Sequence, residues 1–361
     1  MHGRPRPPTG KPEDPEKKKA SQKRLALFSR LCNVVLERRA AKRYDAESIT
    51  LAAKLLEQNP EVYTVWNYRR EALAGTFKGD QGPEEATKAI QFELKLTETA
   101  LRKNPKSYAT WHHRKWLVDQ GLVPLDKELQ LLTKLQELDP RNFHAWRYRR
   151  IVTAKAGIPP EQEEHYTMSL INANFSDYSA WHARTVLLPQ IHAADSGPLK
   201  DQGSAQQEVM PSSVIERELD LVEQATFTDP SDQSAWIYHR WLLSQALQRY
   251  QEAEPQTQST AYQELCDLLK REIGRCEGLL EAEADRRNCK WPILTMARLL
   301  ELRDSLHAQQ GAGDSKLDGP GERKERLKEL YKELIEIDPL RKGYYQDALA
   351  GNARVLVQPG R

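Results

Sequence analysis

A tryptophan that returns in constant company constrains this chain more than any other feature of its sequence. The segments NPEVYTVWNYRR (59–70), NPKSYATWHHRK (104–115), DPRNFHAWRYRR (139–150), NFSDYSAWHART (174–185) and DPSDQSAWIYHR (229–240) align without gaps, and a worn sixth copy surrounds Trp291. The tryptophans at 66, 111, 146, 181, 236 and 291 stand 45, 35, 35, 55 and 55 residues apart. The unit is therefore about 35 residues long with insertions, near the roughly 34-residue helix-turn-helix repeat. The insertions fall at Gly75 to Pro83, Ala193 to Ser213 and Glu252 to Thr260, stretches rich in Gly, Pro, Ser or Gln that suit loops. Between tryptophans lie segments such as 90–103, 125–138 and 214–227, where apolar residues recur at three and four. Each unit then consists of two helices, A followed by B. The Asn-Pro or Asp-Pro pair is expected to open helix B, with Asn59, Asn104, Asp139 or Asp229 as its cap and Pro in the first turn. Tyr63, Trp66 and Arg70 share one face of B, and each Trp is expected to wedge between neighbouring hairpins. An indole buries roughly 150 to 250 Å², worth about 4 to 6 kcal/mol before entropy at roughly 25 cal/mol per Å². The arginines that follow (Arg69 and Arg70, Arg149 and Arg150) are expected to steady the last turn of B or to pair with acidic residues of A.

Length agrees with a stack. At 361 residues the chain exceeds the roughly 250 to 300 residues that one hydrophobic core usually serves, and no stretch alternates as a strand would. The fold class expected is all-α, an α-α superhelix: a crescent-shaped, TPR-like solenoid of about seven helical hairpins. Residues 1–20, rich in Pro and Lys, read as a disordered basic tail, and 21–44 as an opening helix. The helical-repeat domain is expected over 21–349, closing with a seventh, tryptophan-free hairpin within 325–349, as terminal repeats are atypical. Residues 350–361 read as a C-terminal tail. Lys+Arg at 54 against Asp+Glu at 52 leaves a net charge of +2, which argues against a dedicated nucleic-acid binder. No run of about 18 apolar residues exists and the start has no apolar signal core, so a cytoplasmic chain without membrane insertion is expected. Cys32, Cys266, Cys276 and Cys289 lack CxxC spacing and read as reduced, structural thiols.

The repeated Pro-x-x-Tyr-x-x-Trp-x-x-Arg unit, with Trp-His-His-Arg at 111–114 and Asn-Phe-His-Ala-Trp at 142–146, resembles the α subunits of protein prenyltransferases over roughly residues 21–349. The opening Met1-His2-Gly3-Arg4, the Asn-Pro-Lys-Ser-Tyr at 104–108 and the Arg-Asn-Phe-His at 141–144 look most like the Rab geranylgeranyl (type II) branch of that family. The farnesyl and type I branch is the nearest alternative. The resemblance implies a heterodimer in which the α chain wraps a β subunit that holds zinc and the isoprenoid. It implies transfer of a geranylgeranyl group from geranylgeranyl diphosphate to C-terminal cysteines of Rab GTPases presented by a Rab escort protein. It places Lys106 and Tyr108 near the isoprenoid diphosphate, Lys106 as the catalytic cation, with Asn142, Phe143 and His144 beside the same pocket. Relatives of the farnesyl type often carry Tyr where Phe143 stands, so no hydroxyl role transfers to that position. Animal enzymes of the Rab branch also carry an immunoglobulin-like insert and leucine-rich repeats, for which the span from Trp241 to Cys289 is too short.

Prenyl transfer joins a cysteine thiolate to C1 of an allylic diphosphate while the C1–O bond breaks and the diphosphate leaves with the electron pair. A fixed cation beside the leaving oxygens helps most, and Lys106, placed near the start of a helix B, adds its ammonium to the positive helix N-terminus. Tyr108 and His144 are expected to donate hydrogen bonds to the same oxygens. His112 and His113 point about 100° apart on a helix and cannot share one metal. No Asp/Cys/His cluster has ligand spacing, so zinc is expected from the partner; His2, at the tip of the tail, is the one residue considered for reaching such a metal. The competing reading from another class is a non-catalytic helical-repeat scaffold.

Overall fold

The computed structural model describes residues 15–78, 82–193, 210–309 and 320–352, in two compact units, Met1–Ile158 and Pro159–Arg361. In the first, α1 (Pro15–Ala40) precedes three hairpins: α2 (Ala46–Gln58) with α3 (Tyr63–Phe77), α4 (Pro83–Lys103) with α5 (Tyr108–Asp119), and α6 (Leu125–Leu138) with α7 (Phe143–Lys155). In the second lie α8 (Pro160–Ala173) with α9 (Tyr178–Ala193), α10 (Ser212–Thr228) with α11 (Gln233–Gln251), α12 (Gln258–Ala282) with α13 (Lys290–Gln309), and α14 (Pro320–Ile337) with α15 (Lys342–Leu349). Seven hairpins stand as expected, and no strand occurs among the described residues. Because α1 begins at Pro15, residues 15–20 are helical and do not belong to a disordered tail. Residues 1–14 and 353–361 of the two expected tails lie outside the described residues.

The turn between A and B differs from expectation, and the reason is local. Asn59, Asn104, Asp139 and Asp229 do not cap helix B; they end helix A, with φ/ψ of −141/100, −138/88, −143/85 and −145/95°. Proline Cδ crowds the residue before it out of the helical region, so an Asx-Pro pair stops one helix. Each Asx side chain then accepts the N–H two residues on: Glu61 to Asn59 at 3.0 Å, Lys106 to Asn104 at 3.2 Å, Arg141 to Asp139 at 3.2 Å and Ser231 to Asp229 at 2.9 Å. Helix B opens a few residues later. Ser107, Asn142, Asp177 and Asp232 accept the orphan N–H groups there.

This turn explains the invariant distance from Pro to Trp within the copies. The indole N–H of Trp66, Trp111 and Trp146 donates to the carbonyl of Pro60, Pro105 and Pro140 at 2.8 Å each. Trp236 reaches Pro230 O at 3.1 Å, and Trp181 reaches Phe175 O at 2.7 Å. The rings wedge as expected: Trp66 is 0% exposed and lies 4.5 Å from the His113 ring of the next hairpin, Trp111 lies 5.3 Å from Tyr148, and Trp181 lies 4.9 Å from Tyr238. Trp66→Phe retains most of the apolar burial but orphans the buried Pro60 carbonyl. It is expected to lower stability by about 1 to 3 kcal/mol, measured as a reduced urea midpoint at constant slope.

A second repeated device joins four of the B helices to the A helix that follows, two in each unit. Arg69 meets Glu93, Arg114 meets Glu128 at 2.7 Å, Arg184 meets Glu218 at 2.6 Å, and in the next copy His239 takes the arginine's place against Glu272 at 2.9 Å. All of these side chains are buried. Of the arginines singled out in the sequence, Arg69 thus pairs with an acid of a helix A, whereas Arg70 meets Asn67 and His113 and Arg149 meets the Thr133 hydroxyl. His113 donates to Glu93 Oε2 at 2.8 Å, the oxygen that also accepts from Arg69 Nε at 3.1 Å, and faces Arg70 Nη1 with Nδ1 at 3.3 Å, the tautomer that serves both partners. Burial pushes the Glu93 carboxyl up, yet the His113 hydrogen bond and the Arg69 charge outweigh it and hold it below the ordinary range. Burial lowers His113, so this ring is neutral at pH 7.

The signs add. A depressed imidazole contributes instability once the unfolded chain binds protons that the fold refuses, from about pH 6.5 downward. A depressed carboxylate stabilises above its unfolded value of about 4.5 and loses that contribution as pH falls through the folded one. Thermal midpoints are therefore expected to fall from pH 7 to 5 and more steeply below about pH 4.5, followed by circular dichroism. A flat profile between pH 7 and 5 would contradict a neutral, buried His113.

Candidate functional site

The sequence-predicted residues gather along the turn edge of the first unit, on two successive hairpins. Lys106 lies in the turn between α4 and α5, two residues ahead of Tyr108, the first residue of α5, and not past a cap inside helix B. Its side chain is 63% exposed and its Nζ stands 3.4 Å from Asp139 Oδ2 on the next turn. Tyr108 is 61% exposed. Its ring meets that of His144 edge-on at 4.3 Å, and Phe143 packs 6.0 Å from Tyr108 and 4.0 Å from His144.

His144 is nearly enclosed, 6% exposed, and its Nε2 is buried with no hydrogen-bond partner among the described residues. Burial lowers its pKa first and the charges of Arg147 and Lys106 lower it further, against Glu61. The ring is neutral at pH 7 and holds one nitrogen unused beside an exposed ammonium. Together with the N-terminal turns of α5 and α7, these groups form an edge suited to a polyanion.

Asn142 behaves differently from what the resemblance implies. At 1% exposed, it caps α7 by accepting from His144 N at 3.1 Å and Ala145 N at 3.4 Å, and it donates to Pro105 O at 3.0 Å. Its amide is engaged at both ends, so it fixes the turns that carry Lys106 and His144 instead of facing a ligand. Sequence reasoning missed Asp139 and Glu61 as neighbours. Glu61 accepts from Asn104 Nδ2 at 3.0 Å, the same turn-to-turn contact that Lys106 makes with Asp139. The available signal was the reversal of charge at the residue after Pro between the first two copies, from Glu61 to Lys106.

Among the described residues no group of three or more His, Cys, Asp or Glu is placed to hold a metal ion, so these side chains do not fit a zinc site. His113 and His239 are committed to Glu93 and Glu272, and His112 is an exposed ring 6.4 Å from Tyr63. His2 lies outside the described residues. All four cysteines are free. No described helix is long and apolar enough to cross a membrane.

The protein prenyltransferase alpha subunit repeat matches residues 45–75, 90–121, 125–155, 160–191 and 215–246. The rat geranylgeranyl transferase type-2 subunit alpha is 43% identical over 248 residues, 68% of this chain and 42% of that protein. The chain thus spans less than half the length of that relative. The Dictyostelium discoideum geranylgeranyl transferase type-2 subunit alpha is 33% identical over 305 residues, 84% of either chain. In fold, the chain is similar to a Candida albicans protein geranylgeranyltransferase-I structure complexed with GGPP, with a TM-score of 0.63 at 15% identity over 98% of this chain and 96% of that one.

Proposed function

Because this chain belongs to the protein prenyltransferase α-subunit family, we propose that it is the α subunit of a Rab geranylgeranyltransferase. It acts as a heterodimer with a prenyltransferase β subunit, which holds zinc and the isoprenoid. The pair transfers geranylgeranyl from geranylgeranyl diphosphate to C-terminal cysteines of Rab GTPases brought by an escort protein, in the cytoplasm. The observation that carries this reading is the gathering of Lys106, Tyr108 and His144 from two successive hairpins on one turn edge, where the His144 ring keeps an unpartnered nitrogen and feels the Lys106 charge.

The geometry supports the following roles. Lys106, on the exposed turn, meets the diphosphate as negative charge gathers on its leaving oxygens. An ammonium fixed there lowers the barrier more than one recruited from solvent. His144, neutral and desolvated, offers a hydrogen bond from its buried side while Tyr108 and Phe143 wall the ring from water. Asn142 holds both turns in register. The thiolate and its activation belong to the substrate and the β subunit.

Co-expression with a prenyltransferase β subunit tests this. The expected result is a stable heterodimer that transfers geranylgeranyl to escort-bound Rab. A monomer that captures no β chain would favour the scaffold reading, and farnesyl or escort-independent transfer to a short C-terminal cysteine peptide would favour the farnesyl and type I branch.

A further inference from the structure

We propose that Asp139 is a positioning residue that aims Lys106 along this edge; the inference rests on the diphosphate role proposed for Lys106. The carboxylate has two separable jobs. Oδ1 accepts the Arg141 N–H at 3.2 Å and closes the turn after α6. That job needs no charge, since Asn59 and Asn104 do it with an amide at 3.0 and 3.2 Å. Oδ2 instead faces Lys106 Nζ at 3.4 Å.

The preceding pair of turns carries a contact between the same two positions. There the residue after Pro is Glu61, and the Asx residue on the next turn is Asn104, whose Nδ2 donates to it at 3.0 Å. An acid is answered by a donor, and the one ammonium in that position is answered by a carboxylate. The turn does not require the charge at 139, and Lys106 is the cation that this charge meets.

An exposed ion pair adds little to stability, but the lysine stem has four rotatable bonds, and a tether at its tip keeps the ammonium on the side of Tyr108 and His144. Because Asp139 is fixed by its own turn, the tether has a fixed origin. An arriving diphosphate, more highly charged, displaces the carboxylate from an ammonium already in place.

In the assembled heterodimer with geranylgeranyl diphosphate as the probe, Asp139→Asn preserves the turn and is expected to slow single-turnover transfer about fivefold. Affinity for the diphosphate is expected to hold or rise, since a negative charge leaves its vicinity, and the thermal midpoint to stay within about a degree. In a Lys106→Ala background the same substitution is expected to change nothing. Four results overturn the proposal: an unchanged rate, a weakened affinity at unchanged rate, a fallen thermal midpoint accompanying the loss, or an undiminished effect without Lys106. If Lys106→Ala is slow and Asp139→Asn is silent, positioning alone fails; if Lys106→Ala keeps full rate, the role of the lysine falls with it.

Discussion

Replacing Arg184 by alanine is expected to lower the stability of the second unit by about 3 to 5 kcal/mol, the usual consequence of stranding one member of a buried ion pair. Arg184 is 0% exposed and holds Glu218, also 0% exposed, through Nε at 2.8 Å and Nη2 at 2.6 Å. Its Nη1 also serves the Glu164 carbonyl at 3.1 Å and the Thr167 hydroxyl at 3.2 Å. Burial pushes the Glu218 carboxyl up, but the Arg184 hydrogen bond and charge, with the Tyr238 hydroxyl, outweigh it and keep it ionised. Without the guanidinium, Glu218 retains only Tyr238 at 2.8 Å and the half-exposed Arg217 at 3.2 Å, too little to hold a desolvated charge. At roughly 2 to 4 °C per kcal/mol for a unit of this size, the melting transition is expected about 10 °C lower. Arg184→Met combined with Glu218→Leu and Tyr238→Phe removes the buried ion pair together with the hydroxyl that meets it and is expected to recover most of the loss. A single-mutant loss under about 1 kcal/mol, measured by urea unfolding, would mean that Glu218 reaches water and that the pair is not buried in solution.

The hairpins were legible because their signal is redundant. A Trp that packs on the next copy and donates to a Pro carbonyl six residues back cannot drift in register, so its spacing reports the repeat directly. The start of helix B was not legible from the Asx-Pro pair, because the same two residues suit a cap or a stop. The crowding of Asn104 and Asp139 by the following proline favours the stop, and Asn174, followed by Phe175, ends α8 in the same extended conformation through its Asx turn alone. Glu93 and Glu218 went unseen as partners because a carboxylate inside an apolar stripe looks like a break in the pattern until an arginine from another hairpin arrives to meet it. The recurrence of Arg at three residues past Trp66, Trp111 and Trp181 was the hint, since a repeated buried cation requires a repeated acid. In the candidate site, Lys106, Tyr108 and His144 came from the family resemblance. Nothing in a single chain's periodicity announces that residues 36 positions apart, Tyr108 and His144, will touch at 4.3 Å. Asn142 looked like a ligand for the same reason, and only its two engaged ends show that it serves the turn.

Lys106→Ala is expected to slow transfer by at least about tenfold and toward 10²-fold in the assembled enzyme, while the heterodimer still forms. The lower bound reflects the turn's exposure. At 63% exposed in the isolated chain, the ammonium is partly screened by water, and its full effect appears only where the partner excludes solvent. Assembly survives because the side chain's partner among the described residues is Asp139 alone, while the turn is held by the Lys106 backbone N–H on Asn104 and by Asn142 on Pro105. The charge matters more than the reach: Lys106→Met, similar in length and neutral, is expected to match alanine. Lys106→Arg recovers the charge but spreads it over a planar fork that fits this turn less well, so partial rescue is expected. The loss belongs in the single-turnover rate, since the leaving oxygens are more negative in the transition state than in the bound diphosphate. A variant that transfers at full rate, or one whose whole deficit lies in diphosphate affinity, would show that the ammonium binds substrate without steadying its departure.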